Sequence, residues 1–174
     1  RAGASTATPW RGRLAWMAFA AVPSSLLLGV TTHLSTDVAA VPLLWVVPLA
    51  IYLLTFVAAF APAGPTAGVW ANRLLPFLLA AALAAMTLRQ RAWWALVLHL
   101  VAFACAALVC HRALAARRPA PRHLTTFFLC VSIGGALGGV ANAILAPRLF
   151  TDVTEYPLAL ALAASATSPP NSIL

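Results

Sequence analysis

The sequence predicts an all-α, polytopic integral membrane helix bundle of about five spans plus a partial sixth. Hydrophobic residues make up 63% of the 174 residues and charged residues only 8%, whereas soluble domains carry about a quarter charged residues. The charges fall in short gaps between apolar runs, and a membrane-spanning helix needs roughly 20 apolar residues. We therefore expect the chain to lie in a lipid bilayer rather than in water.

The apolar runs and the gaps between them set the expected boundaries. We expect a cytoplasmic linker over residues 1–13, a transmembrane helical domain over 14–167 and a truncated tail at 168–174, as in an internal piece of a longer protein. Pro23 and Pro48 fall inside spans, where neighbouring helices can satisfy the carbonyl that proline leaves free. The predicted spans cover residues 14–34, 38–61, 74–88, 92–110 and 124–146, with a partial span at 158–167.

The distribution of arginine predicts the orientation. All 11 basic residues are arginine, and eight of them lie before residue 14, in the 62–73 gap or in the 111–123 gap, against three on the other side. Because cytoplasmic loops collect basic residues, the N-terminus of the chain and the 111–123 loop are predicted to be cytoplasmic.

The 111–123 segment is the one strongly basic loop in the prediction. We expect it to lie against anionic lipid headgroups, and docking of a cytoplasmic domain is the alternative. Nucleic acid is not an expected partner, because the chain has no basic face with interleaved aromatic residues. The arginines of this loop are Arg112, Arg117, Arg118 and Arg122.

Three polar features are candidates for binding a cation or a substrate. His33 and Asp37 are four residues apart between the first two spans, and on a continuing helix they would share a face and could hold a cation or pass a proton. The alternative is an exoplasmic turn that caps the second span. Asn142 is expected to point into the bundle, because an amide facing lipid is costly. Glu155 would attract cations on the outer side, with ordinary solvation as its alternative.

Glycines in the fifth span predict a close helix contact. Two GxxxG pairs overlap there, and removing side chains at this spacing lets another helix approach. A packing seam is the expected role, and a flexible gating helix or a substrate-lining surface are the alternatives. The pairs are Gly134 with Gly138 and Gly135 with Gly139.

The chemistry of this chain is limited by its composition. It has only three acidic residues, and no Ser/His/Asp set, HExxH motif, phosphate-binding glycine loop or Cys/His ligand spacing is present. The three cysteines all lie in apolar runs, which is typical of packing residues. We therefore assign no catalytic residue, no metal and no cofactor to this chain.

Residues 22–56, VPSSLLLGVTTHLSTDVAAVPLLWVVPLAIYLLTF, resemble the membrane part of bacterial fused MFS/spermidine synthase proteins. Residues 118–125 (RPAPRHLT), 134–143 (GGALGGVANA) and 155–158 (EYPL) are similar to that family too. The resemblance implies further spans upstream and a cytoplasmic aminopropyltransferase-like domain downstream, which would hold the catalytic acids and the cofactor pocket. It also implies the bacterial inner membrane, and it marks His33, Asp37, Asn142 and Glu155 as family features.

The resemblance and the residues together lead to one expected function and two alternatives. We expect the membrane domain of a polyamine synthase-like protein, which anchors a cytoplasmic domain and transports or senses a small cation such as a polyamine. The alternatives are a purely structural anchor and a membrane-tethered aminopropyltransferase whose catalytic domain lies outside this chain. Lipid, the missing parts of the same protein and a second copy of the chain are the candidate partners.

Overall fold

The computed structural model describes residues 10–35, 43–61, 66–88 and 93–145. A 3₁₀ turn at Pro121–His123 precedes the last α-helix, and a π-helical turn at Ala141–Leu145 follows it. No strand occurs within these ranges, and the predicted all-α fold is confirmed. The α-helices are α1 (Trp10–His33), α2 (Val46–Phe60), α3 (Thr66–Thr87), α4 (Trp93–Ala116) and α5 (Leu124–Val140).

Four helical stretches are long and apolar enough to cross a membrane. Large apolar side chains cover their outer faces, and Phe77 and Trp93 are among the most exposed. Such a surface is unfavourable in water and suits lipid tails. The chain is therefore a multi-pass membrane protein. The four stretches are Trp10–His33, Val69–Thr87, Trp93–Ala116 and Pro121–Ile144.

The second predicted span, over residues 38–61, contains a helix that is shorter than the span, and residues 38–42 lie outside the described residues. α2 begins at Val46 and has 15 residues, about 22 Å of helix, which is shorter than the roughly 30 Å of a hydrocarbon core. Pro48, expected in mid-helix, lies in the first turn, where the missing N–H costs no helical hydrogen bond. The N–H groups of Val46 and Val47 donate to the carbonyls of Leu43 and Leu44 at 3.0 and 3.2 Å.

The predicted starts of α1 and α3 and the predicted end of α4 lie next to arginines, and the helices continue through those positions. α1 begins at Trp10 rather than at residue 14, and α3 begins at Thr66 rather than at residue 74, so that Arg73 is helical. α4 continues to Ala116, so that Arg112 lies on a helix and the loop begins only at Arg117. The physical reason is that arginine is a good helix former whose long stem lets the charge reach water.

The remaining boundaries agree more closely. α5 and its π-helical turn end at Leu145, one residue before the predicted end of that span. α1 continues through Pro23, as expected. The partial sixth span at 158–167, the tail and most of the N-terminal linker lie outside the described residues.

Contacts between helices give the direction of each one. α4 packs against α1, α2 and α3, and α1 also packs against α5. Trp16 Nε1 donates to the Arg117 carbonyl at 3.1 Å and the rings of His33 and His99 meet at 4.7 Å, so α1 and α4 are antiparallel. Phe127, at the start of α5, packs on Trp16. We call the end of the bundle at Trp16 and Arg117 the arginine end.

α1 and α5 run in the same direction and approach very closely. A Cβ placed on Gly134 would overlap the Met17 carbonyl group, and one on Gly138 would overlap that of Ala21. Gly134 and Gly138 are four residues apart on α5, and Met17 and Ala21 are four residues apart on α1. One face of α5 therefore packs on one face of α1. The other pair is not at the closest approach. A Cβ on Gly135 would meet nothing within 4 Å, and one on Gly139 would make only ordinary contacts with the Ser24 and Leu28 side chains of α1.

We predict that Gly134→Ala and Gly138→Ala each lower the free energy of unfolding by about 1–3 kcal/mol, the usual range for overpacking. The added methyl group would overlap backbone atoms of α1, which cannot rotate away. The measurement is unfolding in mixed detergent and SDS micelles, followed by circular dichroism.

Gly135→Ala is the matched control for that experiment. It adds the same methyl group one position along the helix, into open space, and alanine is a better helix former than glycine. We expect its unfolding free energy to equal or slightly exceed that of the wild type. Equal losses at Gly134 and Gly135 would show that α5 does not pack on α1 in this way.

Candidate functional site

Polar side chains occur in three clusters within the apolar bundle, each between two helices. The first is the His33–His99 pair between α1 and α4. His99 is 1% exposed and His33 is half-buried, and the two rings meet edge to face with an interplanar angle of 70°. The pair lies at the end opposite the arginine end, because His33 is the last residue of α1 and His99 is in the second turn of α4.

The second cluster joins α2 and α4 around His111. Thr55 Oγ1 lies 3.2 Å from His111 Nδ1 and donates its one hydroxyl proton to the Tyr52 carbonyl at 2.9 Å. The hydroxyl therefore links the imidazole on α4 to the backbone of α2. His111 Nε2 is buried and has no hydrogen bond to the described residues. The rings of Tyr52 and Phe56 flank the imidazole at 5.0 and 5.2 Å.

The third cluster lies between α1 and α5, one turn beyond the glycine contact. Ser24 Oγ donates to the Gly135 carbonyl at 2.8 Å. Asn142 Nδ2 donates to Ser25 Oγ at 3.2 Å, and Asn142 is 8% exposed. The close approach of the two helices lets these short side chains reach across. Hydrogen bonds of this kind hold membrane helices together because lipid offers no competing partner.

The structure places the predicted cation-binding residues as follows. His33 contacts His99 on α4, whereas Asn142 contacts Ser25 on α1. Ser25 and His33 are eight residues apart on the same helix, about 12 Å along its axis, so His33 and Asn142 do not form one site. Asp37 and Glu155 lie outside the described residues.

The sequence pattern does not predict the pairing of His111 with Thr55. The arginine-rich composition of residues 111–123 predicts a loop that begins at His111. A signal was present: residues 111–116, HRALAA, consist mainly of good helix formers, which favours continuing α4. On that continued helix His111 falls next to Cys110 in the buried core.

Charge is distributed unevenly over the described residues. The seven described arginines are Arg11, Arg13, Arg73, Arg112, Arg117, Arg118 and Arg122, and the three acids of the chain all lie outside the described ranges. Six of these arginines lie in α1's first turns, in the last two turns of α4 or just after α4. Arg73 lies in the half of α3 that begins at Thr66. Since α3 and α4 are joined by a short connection and pack together, that half is also at the arginine end.

A metal centre has no basis in these ranges. Within the described residues, no three His, Cys, Asp or Glu side chains lie close enough together to hold an ion. The cysteines pack with apolar groups, with Cys110 fully buried and Cys130 nearly so. The three polar clusters are suited to hydrogen bonding between helices. The His33–His99 pair lies at the end of the bundle opposite the arginine end, and Asp37 follows His33 by four residues in the sequence.

No family model, curated protein or solved structure matches the chain.

We predict that Thr55→Val lowers the free energy of unfolding by about 1–2 kcal/mol. Valine keeps the shape of threonine but removes the hydroxyl that pairs with His111, which leaves the buried Nδ1 of His111 without a hydrogen-bond partner. Thr87→Val is the control, because Thr87 also bonds a carbonyl of its own helix but is exposed. Both variants are compared with the wild type by unfolding in mixed micelles, and equal losses would contradict a specific Thr55–His111 bond.

Proposed function

We propose that this chain is the membrane domain of a spermidine synthase-like protein in the inner membrane of a bacterium. In this proposal the domain holds a cytoplasmic domain at the bilayer and transports or senses a small organic cation, such as a polyamine, that binds at the end marked by His33. The resemblance of residues 22–56 and of the shorter strings 118–125, 134–143 and 155–158 to that family supports this proposal.

The observation that carries the proposal is the contact between His33 and His99. Ionisable side chains in membrane-spanning helices are costly and usually mark the path or site of a ligand. Here two imidazoles from different helices meet at 4.7 Å, and one of them is almost completely buried. Asp37 follows His33 by four residues and would supply the negative charge that a cation requires.

The orientation proposed for the domain follows from the arginine end. All seven described arginines lie toward that end, and basic residues concentrate on the cytoplasmic side of membrane proteins. The His33–His99 pair would then face the exoplasmic side, and a cytoplasmic domain would lie near the arginines. Each arginine near an anionic leaflet contributes about 1 kcal/mol to holding this end at the surface.

The test is uptake of radiolabelled spermidine into proteoliposomes that contain the full-length protein. Asp37→Asn and His33→Asn should each reduce the initial rate about tenfold or more, the factor that corresponds to a lost interaction of about 1.4 kcal/mol. His123→Asn is the control, because His123 lies on the 3₁₀ turn at the opposite end, and its rate should equal that of the wild type.

A wild-type rate no higher than that of empty liposomes would contradict transport and favour the structural anchor. The glycine contact between α1 and α5 is the observation that favours this second function, because it packs the two helices rigidly against each other. A membrane-tethered aminopropyltransferase is a third candidate, and for that protein Asp37→Asn would leave the transferase activity of the full-length chain unchanged.

A further inference from the structure

The arginine end is built around a specific contact between α1 and the connection from α4 to α5. Trp16 Nε1 donates to the Arg117 carbonyl at 3.1 Å, and Trp16 also packs edge to face on Phe127 at the start of α5. Arg13 precedes Trp16 by three residues, so it lies on the same face of α1, one turn nearer the end of the bundle. Arg118 directly follows the bonded carbonyl, so Arg13 and Arg118 lie on either side of the contact between Trp16 and Arg117. We call this contact the Trp16 seam.

The arginines at this seam have different roles. Arg117 is engaged within the protein, because its Nη1 donates to the Ala113 carbonyl at 2.8 Å and its guanidinium lies 4.5 Å from the centre of the Phe19 ring. Arg122 donates from Nε to His123 Nε2, which leaves its two terminal guanidinium nitrogens for a ligand. Arg13 and Arg118 are exposed, and within the described part of the chain neither side chain has a hydrogen bond or an ion pair.

The surroundings of the seam combine this charge with exposed apolar side chains. Trp10 and Leu14, on the first turns of α1, are 67% and 51% exposed. Tryptophan is enriched where lipid headgroups meet acyl chains. Among the described residues there is no Asp or Glu to neutralise the arginines. An anionic group with an attached acyl chain would satisfy both features at once.

We propose that the first turns of α1 and the connection between α4 and α5 form a binding site for an anionic phospholipid. Arg13, Arg118 and Arg122 would bind the phosphate, since guanidinium groups match phosphate oxygens in pairs, and Trp10 and Leu14 would contact the acyl chain. The site does not depend on the proposed cation site, which lies at the other end of the bundle.

The test is native mass spectrometry of the full chain in neutral detergent with an equimolar mixture of phosphatidylglycerol and phosphatidylcholine of identical acyl chains. The wild type should retain phosphatidylglycerol about tenfold over phosphatidylcholine. Arg13→Gln with Arg118→Gln should reduce this ratio to about one. Arg73→Gln removes a charge from α3, outside the Trp16 seam, and should leave the ratio unchanged.

Two further measurements identify the bound molecule and the reason why the glutamine pair loses the preference for phosphatidylglycerol. Arg13→Lys with Arg118→Lys keeps the charge but not the paired hydrogen bonds, so its preference should lie between those of the wild type and the glutamine pair. A loss as large as that of the glutamine pair would overturn the site. Added inorganic phosphate should not displace the lipid, because phosphate has no acyl chain. Equal retention of both lipids by the wild type, or a loss in Arg73→Gln as large as that in the glutamine pair, would also overturn it.

Discussion

The structure depends on one constraint, which is that every backbone N–H and C=O inside a membrane must find its partner within the protein. This requirement decides how helices end. At the start of α2 the N–H groups of Val46 and Val47 bond to a preceding turn, and Pro48 has no N–H to satisfy. Leu43 takes a φ of 69° in that turn, a left-handed conformation that is unfavourable for a residue with a side chain. At the end of α4, Trp16 and the Arg117 side chain satisfy the carbonyls of Arg117 and Ala113.

The same constraint explains which parts of the fold could be predicted from the sequence. The centres of α1, α4 and α5 are long apolar runs, and such a run in lipid can only be a helix, so these spans were predictable. Their ends were not, because arginines such as Arg11 and Arg112 indicate where charge meets water and do not indicate where hydrogen bonding along the helix stops. α2 was the least predictable, since its start depends on a turn that the apolar pattern does not show.

The polar clusters were predictable only in part, for a related reason. Overlapping GxxxG pairs allow two different faces of α5 to be the contact face, and only the positions of Met17 and Ala21 on the facing helix select the pair Gly134 and Gly138. Asn142 was expected to point inward, and it does, but its partner Ser25 is 117 residues away in the chain. Thr55 and His111 were missed because a hydrogen bond between two helices depends on their register, which one helix alone does not define.

The charge distribution constrains any ligand of this bundle. A cation that approached from the arginine end would meet positive charge that no described acid offsets, and burial of a cation near those arginines would be strongly unfavourable. The opposite end offers two imidazoles in contact, and Asp37 follows the first of them, His33, by four residues. Under the two proposals, an anionic headgroup would bind at the arginine end and a cation would bind at the histidine pair. About 25 Å of apolar helix between Trp16 and His33 would keep these opposite charges apart.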